Sequence, residues 1–416
     1  MNVLVYGSGA REHIISKKIL ESKLLSKLFL AKPNDGFKDL GQVIEFCDFY
    51  DLAQKCSENK IDLAIIGPEE PLADGIVDIF QSYGIKTIGP NKHFSKLESS
   101  KIFAKKFMEK YNIPNSKYKI IESYDDIETK FVNFVNKNNQ SKFVIKADGL
   151  CKGKGVCICD DINMAKDKLK KLLDGEFGEA SKKILVEEYQ EGDEISLICL
   201  YDGETLLPFL YSQDYKKLYD NNLGPNTGGM GAYCPVILSE KFQTQIDSYL
   251  ENLKNALLSE KADFVGFIYT GLILTDNGIK VLEYNMRLGD PETQVLLTSL
   301  KSDLLEVLNN AIKKNLSKIK LTWNDKVSYC LVVASKGYPQ KPIIGDEILN
   351  INKLKQKYKN VDVYFANVKK KEDKLFANGG RVISLCSFNK NDIYKFVEEL
   401  IFKNKYYRRD LFKVEA

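Results

Sequence analysis

Histidine is almost missing from this chain: its 416 residues include two, His13 and His93. Zinc sites built from several imidazoles are therefore excluded, and a Ser-His-Asp triad would have to recruit one of this pair. No stretch approaches the roughly 18 uninterrupted apolar residues that a membrane-spanning helix needs. The opening Met1-Asn2-Val3-Leu4-Val5-Tyr6-Gly7 lacks both the basic region and the apolar core of a signal peptide. Charge of one sign is not in excess either. Sixty-one Lys and Arg face 57 Asp and Glu, a formal +4. That is too little to mark a polyanionic partner, and Lys369-Lys370-Lys371 reads as solvated surface. The nine cysteines are scattered with no C-x-x-C pair, Cys157 and Cys159 being nearest in sequence. They read as reduced thiols of a reducing compartment. The expectation is a cytoplasmic protein that binds neither nucleic acid nor membrane. Its chemistry must rest on carboxylates, Lys, Arg and backbone amides.

What is present is globular composition, 44% hydrophobic and 28% charged, at a length of two to four domains. Strand and helix signals alternate through the first ninety or so residues. Val3–Tyr6, Lys27–Ala31, Leu63–Ile66 and Ile85–Ile88 read as buried strands, each followed within a few residues by glycine or proline. A helical pattern runs from Arg11 to about Leu25. This alternation predicts a parallel α/β sheet. Ser99–Tyr111 reads as one amphipathic helix. A smaller α+β segment follows, with strands at Phe143–Lys146, Val156–Cys159 and Ile184–Glu187. A longer α+β region covers about 190–325, and Val327–Val333 opens what reads as a separate small domain.

Five segments could carry chemistry. Gly7-Ser8-Gly9-Ala10-Arg11-Glu12 lies between a strand and a helix, where backbone N–H groups can meet a phosphate. It is not a dinucleotide fingerprint: Glu12 stands at the third glycine, and Ala31-Lys32-Pro33 supplies no ribose-binding acid. A tight structural turn stays open. Lys146-Ala147-Asp148-Gly149 followed by Gly153-Lys154-Gly155 is a lysine at a strand end before a glycine-rich loop, either a phosphate cover or a plain hairpin. Glu187-Glu188-Tyr189 with Gly192-Asp193-Glu194 is either a nucleoside edge or a solvated acidic turn. The fourth segment, Gly224-Pro225-Asn226-Thr227-Gly228-Gly229-Met230-Gly231, has too many glycines for strand or helix and suits close backbone approach to a ligand, with a purely structural loop as the alternative. In the fifth, Val281 to Thr293, strand periodicity puts Glu283, Asn285 and Arg287 on one face. A carboxylate, an amide oxygen and a guanidinium in a row suit a hard divalent cation and a phosphoryl charge. A cross-strand ion-pair ladder is the alternative.

In this order the segments resemble the ATP-grasp superfamily and, within it, the phosphoribosylamine–glycine ligase (glycinamide ribonucleotide synthetase) family, nearly end to end. Its motifs are matched by Gly7 to His13, Gly67-Pro68-Glu69-Glu70-Pro71-Leu72, Ala147 to Val156, Ser212 to Lys216, Gly224 to Tyr233, Glu283 to Gln294, Asn378 to Val382 and Tyr407 to Asp410. Ala10 departs from the usual glycine, Tyr215 and Lys217 from His and Arg, and Leu411-Phe412 from Ile-Gly. The strand at Tyr269–Ile273 lacks the second metal carboxylate of many ATP-grasp enzymes.

The resemblance implies an α/β and α+β multidomain protein. Residues 1–102 would form the N-terminal α/β substrate-binding domain, 103–120 with 191–326 the ATP-grasp core, 121–190 a lid and 327–416 a C-terminal domain. It implies ATP-dependent joining of glycine to 5-phosphoribosylamine through glycyl phosphate in purine biosynthesis, by a monomer or weak homodimer. Lys105, Lys146, Gly153, Lys154 and Gly155 would hold nucleotide phosphates, Glu187, Glu188 and Tyr189 adenine, and Glu194 ribose. Glu283 and Asn285 would hold Mg²⁺ or Mn²⁺. Arg287, with Lys146, would be catalytic. Gly9, Glu12, Asp214, Asn226, Thr227, Gly228, Gly229, Met230, Asp290, Pro291 and Glu292 would face the substrates. His13 is open between a substrate contact and a structural hydrogen bond, and His93 reads as structural. Three other readings compete: a nicotinamide oxidoreductase using the first glycine motif, a non-catalytic nucleotide-binding homologue, and an ATP-grasp ligase for another amine.

Overall fold

A computed structural model of the chain describes residues 1–138, 141–151 and 155–412. The N-terminal region is a five-stranded parallel sheet of Asn2–Tyr6, Lys27–Ala31, Gln42–Val43, Leu63–Ile66 and Lys86–Ile88. Counting strands along the chain, their spatial order is third, second, first, fourth, fifth. The apolar runs are continuous because both faces are covered. Val3, Val5, Leu28, Leu30, Leu63 and Ile65 enter one core, while the alternating Leu4, Tyr6, Phe29, Ala31, Ala64 and Ile66 enter another. The order reverses between the first and fourth strands, and a crevice opens at their carboxyl ends, the usual ligand position in such sheets. The helix Ala10–Leu20 starts at that crevice. It stops earlier than the pattern predicts, because the Ser22 hydroxyl turns to Asp303 at 2.6 Å and the chain bends away. Gln42–Val43 carries no apolar run and is invisible in the sequence.

Two four-stranded antiparallel sheets follow. One orders Leu206–Pro208, Asp193–Tyr201, Gly266–Thr275 and Gly278–Asn285, with the helices Lys101–Lys110 and Glu240–Ser259 packed on it. The other orders Tyr118–Ile121, Ile184–Glu188, Phe143–Ala147 and Val156–Cys159 beneath the helix Ile162–Leu173. The single helix expected over Ser99–Tyr111 is interrupted. Ser100 takes an extended conformation (φ −134°, ψ 110°) and its hydroxyl accepts from Phe103 N at 3.1 Å, capping Lys101–Lys110. Asp148 accepts from Ile102 N at 2.8 Å, so the end of strand Phe143–Ala147 is tied to the same helix start.

A six-stranded sheet closes the fold. Its members are Gln213–Asp214, Gly231–Cys234, Ser328–Ser335, Arg381–Ser387, Asp362–Phe365 and the edge pair Lys405–Tyr406. Ser328–Ser335 pairs antiparallel with Gly231–Cys234, Ala232 opposite Cys330. The C-terminal region therefore extends a sheet begun in the middle of the chain. All nine cysteines are free thiols, six of them buried. Among the described residues no helix is long and apolar enough to cross a membrane.

Candidate active site

The three regions meet around one cavity of about 1150 Å³. On one wall the helix Lys101–Lys110 presents Lys105 and the strand Phe143–Ala147 presents Lys146. Both ammonium groups reach the same carboxylate, Glu187, at 3.1 and 2.8 Å, and all three side chains are buried. Burial holds Lys105 down to about 8, against the pull of Glu187. Burial alone would raise Glu187, but Lys146 and Lys105 keep it below the usual carboxylate range. Lys146 Nζ also donates to the carbonyl of Leu282 at 3.2 Å, which brings the lysine pair against the start of the fifth segment.

There the expected alternation holds. Tyr284 and Met286 enter the core, while Glu283, Asn285 and Arg287 line the cavity. Among the described residues Glu283 makes no ion pair; its near partner is the Asn285 amide at 3.5 Å. A cross-strand ladder is thus not what this row builds. Desolvation would raise Glu283, yet Lys216, Lys146 and Lys101 hold it below the usual range, so it stands as a half-buried anion facing the cavity. Arg287 turns the other way, with Nη2 2.8 Å from Glu98 and Nε 3.4 Å from Glu69. Nη2 also donates to Asn285 Oδ1 at 3.2 Å. No group of three or more His, Cys, Asp or Glu among the described residues is placed to hold a metal ion. A carboxylate next to an amide is nevertheless a donor pair that suits a cation of the Mg²⁺ type once the amide turns its oxygen, here facing Arg287, toward Glu283; water and phosphate supply the remaining ligands.

Asp214 and Lys216 stand beside this row, 3.9 Å apart. Burial and the neighbouring carboxylates push Asp214 up to about 7, opposed by Lys216. The glycine-rich segment crosses the cavity mouth and is fixed from several sides. Thr227 Oγ1 donates to the Lys216 carbonyl at 2.8 Å, and Gly228 N donates to the Tyr338 hydroxyl at 2.9 Å. Arg381 donates to the carbonyls of Gly228 and Asp290 at 2.6 and 2.7 Å. Gly229 has φ +113°, and a Cβ there would lie 2.4 Å from Pro291 Cδ. Asn226, Thr227, Gly228, Asp290 and Glu292 line the cavity, whereas Gly229, Met230 and Pro291 support it from behind. Met230 is fully buried against Leu218 and Ala334.

At the N-terminal crevice Gly9 and Glu12 line the wall. Both Glu12 oxygens are engaged, by Gly9 N at 2.6 Å and by Arg11 Nε at 2.6 Å. The carboxylate is so enclosed that a Cβ on Gly67 would fall 1.8 Å from it. Glu12 caps its own helix and shapes the turn.

His13 does not reach the cavity. Its Nδ1 accepts from Phe365 N at 2.9 Å, and its ring stacks on Phe37 at 5.0 Å. It joins the first helix to the C-terminal region and is structural. Burial, then Lys17 and Lys355, hold it down to about 3. The unfolded state therefore binds the extra proton below about pH 6.5. Its contribution to stability is whole above that pH and lost toward pH 3, by at most about 1.4 kcal/mol per unit. His13→Ala is expected to cost about 3 kcal/mol of stability and to flatten that acid limb, with substrate KM values unchanged. Denaturant titrations at several pH values check it. His93 packs edge-on against Phe94 and Phe103.

Other expected site residues lie at the margin. Glu188 leaves the opposite strand face from Glu187 and pairs with Lys280 at 3.2 Å. Tyr189 lies under Lys142, and Glu194 meets Lys216 at 3.3 Å; neither lines the cavity. Gly153 and Lys154 lie outside the described residues. Gly155 lines the cavity. Sequence reasoning missed Glu98, an acid in a four-residue helix with no motif around it. It gave no role to Glu69, Lys216 or Arg381, although each falls in a matched motif.

Two antiparallel sheets closing on buried lysines opposite hard oxygen donors, beside a parallel-sheet domain, define an ATP-grasp protein. Residues 99–293 match the ATP-grasp (A) domain of phosphoribosylglycinamide synthetase, residues 1–98 its N domain and residues 328–412 its C domain. The chain belongs to the phosphoribosylglycinamide synthetase family. It is 39% identical to a phosphoribosylamine–glycine ligase of Fusobacterium nucleatum, over 99% of this chain and 98% of the relative. To that of Clostridium acetobutylicum it is 38% identical, over 99% and 100%. The crystal structure of the Thermotoga maritima phosphoribosylamine–glycine ligase superposes with a TM-score of 0.83 at 30% identity, covering 99% of this chain and all of that one. A Campylobacter jejuni biotin carboxylase shares the fold alone, with a TM-score of 0.71 at 14% identity over 97% and 92% of the two chains.

Proposed function

We propose that this chain ligates glycine to 5-phosphoribosylamine at the expense of ATP, giving glycinamide ribonucleotide, ADP and phosphate for purine biosynthesis. The single observation that supports it best is the opposition of the Lys105–Lys146 pair to the Glu283–Asn285–Arg287 row, joined by the contact of Lys146 with the Leu282 carbonyl.

A carboxylate does not react with an amine until one oxygen is made a leaving group. The glycine carboxylate attacks the γ-phosphorus, and ADP leaves. The amine of phosphoribosylamine then attacks the acyl carbon of glycyl phosphate; phosphate leaves and the amine gives up a proton. Little covalent work falls to the protein, so positioning and charge neutralisation dominate. Lys105 and Lys146 hold the polyphosphate, with Gly155 beside it. The strand end at Glu187–Tyr189 lies along adenine, and Glu194 takes ribose. Glu283 and Asn285 hold Mg²⁺ or Mn²⁺, which supplies charge neutralisation on the phosphates. Arg287 faces the negative charge of the transferring group. Asp214, the Asn226–Gly228 backbone and Asp290–Glu292 enclose glycine and the amine, while Gly9 and the turn shaped by Glu12 meet the ribosyl phosphate. Residues 121–190 form the closing part over a core of 103–120 and 191–326, flanked by 1–102 and 327–416. The enzyme is a cytoplasmic monomer or weak homodimer.

The test is ADP release from ATP and Mg²⁺ with glycine, with and without fresh phosphoribosylamine. ADP formation that needs both, with a product of glycinamide ribonucleotide mass, is expected. Turnover that ignores phosphoribosylamine but responds to another amine would discard the acceptor.

A further inference from the structure

We propose that Glu98, seconded by Glu69, is a positioning residue that sets the Arg287 guanidinium in the plane it needs for phosphoryl transfer; the inference rests on the charge-stabilising role just given to Arg287. Glu98 uses both oxygens on one short stretch of chain. One lies 2.8 Å from Arg287 Nη2, and the other accepts from Met286 N at 2.7 Å. A single carboxylate thus fixes both the arginine fork and the backbone that carries it. Glu69 stands 3.4 Å from Nε. Asn285 Oδ1 accepts from the same Nη2 at 3.2 Å, and the Leu288 carbonyl accepts from Nη1 at 3.3 Å.

The guanidinium is planar, so acceptors around its rim leave the faces and one Nη edge toward the cavity as the directions open to an anion. Glu98 comes from the helix Lys96–Ser99, and Glu69 opens the helix that follows the fourth parallel strand. Neither belongs to the segment that bears Arg287, two residues past the strand Gly278–Asn285. The phosphoryl-handling arginine is therefore aimed by elements of the N-terminal crevice, and a shift of that crevice is felt at the phosphorus. A misplacement on the order of 1 Å is enough to cost about a hundredfold in rate.

A double-mutant cycle tests this on the full-length protein, with kcat, the KM for ATP and thermal midpoints measured for wild type, Glu98→Gln, Arg287→Met and the double variant. Glu98→Gln is expected to lower kcat by about tenfold or more, with the ATP KM changed less than about twofold. In the Arg287→Met background the same change is expected to cost nothing further, since a residue acting through Arg287 has nothing left to aim. Loss of the same factor in both backgrounds would overturn the positioning role while leaving Arg287 its own. Wild-type kcat in Arg287→Met would overturn the reading of Arg287, and the positioning role with it. If Glu98→Gln does not fold, Glu69→Gln at the more accessible second carboxylate is run through the same cycle, and additivity there overturns the proposal equally.

Discussion

Glu283→Ala is expected to slow ADP formation by about 10²–10³-fold at saturating glycine and phosphoribosylamine, with ATP still binding. Glu283 is a half-buried carboxylate on the cavity wall that makes no ion pair among the described residues, although Lys216, Lys146 and Lys101 hold it below the usual carboxylate range. A carboxylate that faces the cavity, kept charged by nearby ammonium groups yet bonded to none of them, is free to take a cation as its partner. Asn285, two residues on along the same face, offers the second hard oxygen. Removing Glu283 takes away the one full negative charge of that pair, so the divalent requirement should shift as well. Glu283→Asp, with the carboxylate withdrawn by one methylene, is expected to need a markedly higher Mg²⁺ or Mn²⁺ concentration for half-maximal rate. Single-turnover experiments across a metal titration measure both effects. A full single-turnover rate in Glu283→Ala would remove the metal assignment and leave the row with Arg287 alone.

The parts of the fold legible in the sequence are those whose cause is local. The parallel strands announce themselves because two covered faces demand unbroken apolar runs, as Val3–Tyr6 and Leu63–Ile66 show. The row of Glu283, Asn285 and Arg287 is legible because a strand alternates. What the sequence hides is pairing over distance. Nothing local says that Ser328–Ser335 will lie beside Gly231–Cys234, or that Glu187 will sit between two lysines from different elements. Glu98 is hidden for the same reason, since its partner Arg287 lies far along the chain. Two departures from the family pattern gain a physical account only in three dimensions. Tyr215 and Phe412 touch each other: their rings lie 5.9 Å apart and the Tyr215 hydroxyl accepts from Phe412 N at 3.2 Å. Phe412 holds φ +66°, a conformation natural to the glycine usual there and uncommon for a bulky residue. Packing against Tyr215, Tyr329 and Tyr394 holds it. The pair lies off the cavity, so the exchange at 215 repacks the C-terminal core rather than the substrate wall.

Glu187→Gln should be the most damaging single change to the nucleotide-free protein. It removes the only carboxylate among the described residues that pairs with both Lys105 and Lys146, at 3.1 and 2.8 Å. Breaking a buried pair by deleting one partner costs about 3–5 kcal/mol, because the other charge is left without compensation; here two ammonium groups are left. Burial already holds Lys105 down to about 8. Its folded value lies below the unfolded one, near 10.4. Its burial is therefore least costly above that unfolded value, and stability falls as pH drops toward the folded value. Without Glu187 the folded value falls further, so the loss of stability should be largest near neutral pH and shrink as pH rises through 8 to 10. Polyphosphate brings the missing negative charge to the same two lysines. ATP should consequently raise the thermal midpoint of Glu187→Gln by more than it raises that of wild type, even though the variant starts lower. Thermal unfolding at pH 7 and 9, with and without ATP and in the absence of glycine, measures all three effects. A variant that melts like wild type would show that Glu187 is not what keeps the two buried ammonium groups compatible with the fold. One that is destabilised but gains no more from ATP would separate the lysine pair from the phosphates.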